Sequence, residues 1–186
     1  MSLYFIALLP PQEIQDFATG IKQYFADNYD SKHAFKSPPH ITLQPPFEWD
    51  TSKIIELEEC LQKFALGQNS ISIILDGYNA FAPRVIYIDV VQSPDLINLQ
   101  FELMSYLETN LGIVDEVGKS RGFTPHMTVA FKDLKKSKFK AAWSEFENKQ
   151  LNFEFTASRL TLLKHENKKW NITEEFDFVE GSRSRE

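Results

Sequence analysis

The feature that most restricts this chain is a four-residue phrase that occurs twice, as Pro39-His40-Ile41-Thr42 and as Pro125-His126-Met127-Thr128, 86 positions apart. Its surroundings repeat with it. The apolar run from Leu3 to Ala7 is followed by Pro10-Pro11 and an amphipathic stretch. Val85 to Asp89 is followed in the same way by Pro94 and another such stretch, at an offset of 82. A supersecondary unit used twice predicts two similar halves related by a pseudo-twofold, with the repeated phrases face to face.

Hydrophobic periodicity fills in the units. Residues 3–9 read as a buried strand, and Pro10-Pro11 opens a helix with Ile14, Phe17, Ile21 and Phe25 inward. After a polar stretch at residues 27–31, residues 40–43 alternate as a half-buried strand does. Asp50, Thr51 and Ser52 offer caps for a helix over 53–66, with Ile54, Leu57, Leu61 and Phe64 on one face. Residues 70–75 read as a strand that ends in a bend or bulge at Asp76-Gly77. The second cycle follows with a strand over 85–91. A helix then starts at Ser93-Pro94, with Leu96, Leu99, Leu103 and Leu107 inward. A loop over 112–122, a strand over 123–131 and a helix from Ser137 come next. Residues 151–155 alternate, residues 160–163 continue as strand, and Trp170, Ile172, Phe176 and Phe178 share one parity. The tail at 181–186 reads as disordered. Each unit is therefore strand–helix–strand–helix–strand. The expectation is an α+β fold: a single bilobal domain over 1–186 with antiparallel sheets, two pseudo-symmetric lobes discontinuous in sequence, and a cleft between them.

Composition narrows the function. With 16 Phe, aromatics make up 13% of the chain, enough for a substantial core. A net charge of -6 argues against binding long duplex nucleic acid, whose affinity comes largely from neutralised phosphates, but leaves room for one small nucleotide or RNA end. The lone Cys60 excludes an internal disulfide and a multi-cysteine zinc site. The apolar N-terminal run is too short to span a bilayer, so the expectation is a cytoplasmic monomer with no membrane partner.

The chemistry rests on strand geometry. Residues i and i+2 project from one face, so His40 and Thr42 point one way while Ile41 and Leu43 anchor the strand; His126 and Thr128 do the same opposite Met127 and Val129. A Thr hydroxyl donates to a phosphate oxygen, and an imidazole donates or accepts. Two such pairs around one phosphorus centre suit phosphodiester cleavage with no metal or cofactor. One neutral His takes a proton from water, and one protonated His gives a proton to the leaving oxygen. A single His-x-Thr carries little information, and its ordinary reading is structural. Two copies at matching places in a repeat are a much stronger signal.

At these residues the chain resembles the two-histidine (2H) phosphoesterase superfamily, also called the 2′-5′ RNA ligase family. The resemblance runs through Tyr4 to Leu8 with Pro10-Pro11, Pro39 to Phe47, Arg84 to Tyr87, and Phe123 to Phe131. It implies a two-lobed α+β fold and metal-independent hydrolysis of cyclic phosphodiesters, with 2′-5′ ligation in some relatives. It implies His40 as general acid, His126 as general base, and Thr42 and Thr128 as phosphate ligands. Arg121 stands where RNA-processing relatives often carry a basic residue. Phe131-Lys132 departs from the Arg those relatives often have after the second motif. Lys36 is a further phosphate-binding candidate; His33, Lys164 and His165 could also add positive charge near the cleft, and all four read equally well as solvated surface. Phe47 and Phe81 are stacking candidates whose simpler reading is packing.

Two rival classes remain open at this point. One is a binding module that holds a nucleotide or RNA end without turnover, against which both intact His-Thr pairs speak. The other is a metal hydrolase, for which the chain offers neither His-Glu-x-x-His nor acidic ligands clustered beside either motif.

Overall fold

The protein is described from a computed structural model, over residues 1–179. Strand β1 (Ser2–Leu8) leads into helix α1 (Gln12–Tyr29), a short 3-10 helix (His33–Lys36) and strand β2 (Ile41–Trp49). Helix α2 (Ile54–Leu66) and strands β3 (Ile71–Phe81) and β4 (Val85–Val90) follow. Then come α3 (Pro94–Leu111), α4 (Glu116–Arg121), β5 (His126–Ala130) and α5 (Lys136–Phe146). The described chain closes with β6 (Asn152–Ala157), β7 (Arg159–Glu166) and β8 (Lys169–Asp177). The tail expected to be disordered at 181–186 lies outside the described residues.

The local signals act as their chemistry requires. The Ser93 hydroxyl accepts from the Leu96 amide at the start of α3, with Pro94 in the first turn, and Gly112 ends that helix in the left-handed region at φ 67. Asp50 accepts from the Ser52 amide ahead of α2. Gly77, at φ 70, sits in a register break between Leu75 and Tyr78. It lets β3 continue through a bulge instead of ending there, and its amide donates to the Leu151 carbonyl at 2.8 Å.

The strands form two antiparallel four-stranded sheets, ordered β2-β1-β7-β8 and β5-β4-β3-β6. The α+β class and the antiparallel sheets are as expected, and each motif strand is the edge of its sheet. Neither sheet is built from one contiguous stretch of chain. β3, written into the first unit, pairs with β4 and β6 in the second sheet, and the first sheet is completed by β7 and β8. β6 and β7 are separated only by Ser158, yet lie in different sheets.

Helices tie the two sheets together. α1 packs against β5 and α3 against β2, so each leans on the motif strand of the opposite sheet, and β2 and β5 themselves touch. One apolar cluster accordingly runs from Ile6 and Leu43 to Ile88 and Val129. In α1 the buried face is Ile14, Ala18, Lys22, Phe25 and Ala26. Phe17, expected inward, is 39% exposed and rests its edge on Phe153 at 5.0 Å. Residues 112–122, expected as loop, contain α4, capped by Asp115 on the Gly118 amide. Among the described residues no helix is long and apolar enough to cross a membrane.

Candidate active site

His40 immediately precedes β2, and His126 opens β5. In both places Pro at the preceding position holds the entering chain extended. Each imidazole then closes the same local bond: His40 Nδ1 lies 2.7 Å from the Pro38 carbonyl, and His126 Nδ1 lies 2.7 Å from the Thr124 carbonyl. A carbonyl only accepts, so Nδ1 carries the hydrogen in both rings. The neutral tautomer is thereby fixed, and Nε2 is the nitrogen left able to accept a proton.

An aromatic ring backs each histidine. Phe5 on β1 lies 4.7 Å from the His40 ring, and Tyr87 on β4 lies 5.2 Å from the His126 ring. Phe5 and Tyr87 differ by 82 positions, the offset of the repeat, so the duplication extends to the second layer of the site. Phe81 adds an edge-on contact to His126 at 5.1 Å. Each ring is packed among protein atoms while its edge stays open to the cleft. Burial pushes the His40 pKa down to about 4; the Pro38 carbonyl opposes this, and the charges of Lys22 and His126 add to it. His126 is also pushed below its usual 6.5 by burial, with the Thr124 carbonyl opposing. Both rings are therefore neutral in the free protein near pH 7.

His40, Thr42, His126 and Thr128 line one cleft of about 360 Å³. Its walls are aromatic, from Phe5, Phe81, Phe131 and Trp170, and its cations come from Lys36 and Lys132 with His33 beside them. Among the described residues no carboxylate lines it, although the chain carries a net charge of -6. Such a cleft can take an anion without repulsion from its own walls. Among the described residues no group of three or more His, Cys, Asp or Glu is placed to hold a metal ion.

One buried residue supports the wall from behind. Lys22 is 3% exposed, and its ammonium donates to the carbonyls of Ala34 and Ser37, both at 2.8 Å. Those carbonyls belong to the short 3-10 helix and the residue after it. Lys22 thus fastens the segment that presents His33, Lys36 and Ser37 to the cleft and delivers the chain to His40. Asp133 fastens the other end of that segment, accepting from the Ser31 hydroxyl and from the amides of Lys32 and His33.

The structure sorts the remaining sequence candidates. Lys36, His33 and Phe81 line the cleft. Arg121 does not; it ends α4, exposed to solvent, and Gly122 at φ 77 turns the chain before β5 begins. Lys164 and His165 also stand outside the cleft wall. Lys164 pairs with Glu166 at 3.7 Å, and His165 packs on Trp170 at 4.9 Å. Phe47 belongs to the core, beside Tyr4. Sequence reasoning missed Phe5, Trp170, Ser37 and Lys22. A signal for Lys22 was present: it is the one charge on the stripe Ile14, Ala18, Phe25.

Comparison with known proteins bears on family and fold. The sequence model of the 2′-5′ RNA ligase superfamily matches residues 10–169. A protein of Geobacillus sp. (strain WCH70) named "Putative phosphoesterase" is 34% identical over 176 residues, covering 93% of this chain and 94% of that protein. A Bacillus cytotoxicus protein of the same name is 30% identical over 181 residues, covering 96% and 98%. In fold, the chain is similar to TT0787 of Thermus thermophilus, with a TM-score of 0.69 at 18% identity over 97% of this chain and 100% of that one. It is also similar to E. coli LigT complexed with 3′-AMP, with a TM-score of 0.64 at 18% identity over 96% and 99%. The family match and the full-length relatives together establish that the chain belongs to the 2′-5′ RNA ligase superfamily, the two-histidine phosphoesterases.

Proposed function

We propose that the protein is a metal-independent cyclic phosphodiesterase acting on 2′,3′-cyclic phosphates of nucleotides or short RNA ends. The observation that carries the reading is the pair of imidazoles with Nδ1 committed to carbonyls, both lining, together with two threonines, one cleft with no carboxylate among its described lining residues. Water attacks phosphorus as His126 takes its proton. The bond from phosphorus to the 3′-oxygen breaks as His40 supplies a proton there, leaving a 2′-phosphate. Thr42 and Thr128 donate to the equatorial oxygens, where charge is greatest in the transition state. Two positioned acid–base groups supply about 10²–10⁴-fold each.

For His40 to serve as acid it must be protonated in the complex although burial holds it to about 4 in the free protein. The bound phosphoryl anion does this, because an opposite charge at hydrogen-bond distance favours the imidazolium. Small nucleotides are occupants of the right size, and E. coli LigT has been crystallised with 3′-AMP, NADP+ and ATP. The test is a panel of nucleoside 2′,3′-cyclic phosphates incubated with the protein in excess chelator, with products resolved by chromatography. The expected product is the 2′-phosphate. Absence of turnover across the panel would replace the hydrolase with a binding module.

A further inference from the structure

We propose that His33, Lys36 and Lys132 form a second anion subsite in the same cleft, and that the preferred substrate carries a second phosphoryl group beside the cyclic phosphate. The inference rests on the hydrolase reading for its substrate but on independent residues for its site.

The first observation is charge without a partner. Lys36 and Lys132 both line the cleft, and neither takes part in an ion pair among the described residues, whereas Lys119, Lys138, Lys149 and Lys164 all do. The second is convergence. His33 stands edge-on to Phe131 at 4.7 Å, and the Lys132 ammonium lies over the same Phe131 ring at 5.7 Å. Lys36 lines the same cleft, and after burial the charges of Lys36 and Lys132 lower the His33 pKa, with Asp133 opposing them. The third is that the Asp133 carboxylate is already committed. Asp133 accepts from Ser31 and two backbone amides, which turns it toward the 3-10 helix. Lys132 is itself held at φ 57, an unusual conformation for a lysine.

Position separates this group from the catalytic one. Thr128 and Phe131 are three residues apart, about 10 Å along an extended chain. Both groups line the one cleft, so a single small ligand can reach both. The four motif side chains suffice for one phosphoryl group. Two further unpaired ammonium groups and an imidazole in the same cleft, with no carboxylate among the described lining residues, match a second anion. That anion has two chemical sources: the 5′-phosphate of a mononucleotide, or the preceding phosphodiester of a short RNA end.

The experiment begins with binding, which does not depend on turnover. Calorimetry compares adenosine 2′-monophosphate with adenosine 2′,5′-bisphosphate on the wild-type protein and on the Lys36→Gln/Lys132→Gln variant. The bisphosphate is expected to bind about tenfold tighter to the wild type, and the advantage to vanish in the variant. Equal affinities in the wild type, or an advantage that survives in the variant, overturn the subsite. Kinetics then identify the source. Adenosine 2′,3′-cyclic phosphate is compared with its 5′-phosphorylated form and with a dinucleotide ending in the same group. A higher kcat/KM for either supports the subsite and names its ligand; no gain for either overturns it. Failure of all three as substrates would sink the hydrolase reading alone, with the calorimetry still deciding the subsite.

Discussion

Replacing Lys22 by methionine tests how the cleft wall is held. The wild-type ammonium satisfies two backbone carbonyls at 2.8 Å while 3% exposed. Hydrogen bonds from a charged donor contribute about 1.5–3 kcal/mol each, so about 3–6 kcal/mol is lost. Against this, burial lowers the Lys22 pKa from 10.5 to about 8, which means that folding works against the charge by roughly 3 kcal/mol at about 1.4 kcal/mol per tenfold. The methionine variant is relieved of that term. The net destabilisation near pH 7 is then about 1.5 kcal/mol. The same numbers fix a pH signature. Above pH 8 the folded wild type sheds a proton that the unfolded chain keeps until 10.5, so its stability rises with pH across that window. The gain amounts to about 2 kcal/mol by about pH 9.5, and the variant lacks it. Urea titrations of both proteins between about pH 7 and about pH 9.5 supply the comparison. Tyrosines with raised pKa values, such as Tyr78, cancel in the difference. The gap between wild type and variant should widen as pH rises. Parallel profiles would refute the depressed Lys22 pKa, and a methionine variant as stable as the wild type near pH 7 would refute the buried ammonium as the fastening of this segment.

Three further outcomes are expected. With His40 held to about 4 and His126 below 6.5 in the free protein, kcat/KM should be bell-shaped with its maximum between those values, and binding of a 2′-nucleotide should raise both histidine pKa values as followed by NMR; an optimum above neutrality would contradict the burial argument. Thr42→Ala and Thr128→Ala should each reduce kcat by about 10²–10³-fold, leaving more residual rate than loss of a histidine, since one donor to the phosphoryl oxygens is removed; steady-state kinetics decide this. Gly77→Ala should lower stability by about 1–2 kcal/mol in chemical denaturation, because the β3 bulge holds this residue at φ 70.

What the sequence revealed and what it concealed follow from the range of the forces involved. Period-two alternation at Ile41-Thr42-Leu43 and Met127-Thr128-Val129 is a local property, and it placed the polar pairs on one face of each strand correctly. Capping at Ser93 and the bulge at Gly77 are equally local. Periodicity does not say which sheet a strand joins. β3 therefore looked like the end of the first unit when it pairs with β4 in the second sheet, and Ser158 gave no sign that the chain changes sheets there. Phe17 and Lys22 show a related limit. Helical spacing selects a face to within a residue or so, and only tertiary partners decide whether Ile14 is followed inward by Phe17 or by Ala18 and Lys22. Arg121 was suggested by the family resemblance, which matches positions along the chain, but α4 and the Gly122 turn set its place in space. The aromatic backing of the histidines was legible in principle. Phe5 and Tyr87 are related by the same offset as the strands that carry them.

The central claim is that the two histidines act as one unit on one phosphorus atom, and a double-mutant cycle on kcat/KM with a nucleoside 2′,3′-cyclic phosphate tests it most directly. His40→Ala and His126→Ala should each reduce kcat/KM by about 10²–10⁴-fold, and the double variant should be little worse than either, because removing one proton carrier already disables the pair. Full activity in either single variant, or losses that multiply in the double variant, would contradict the account.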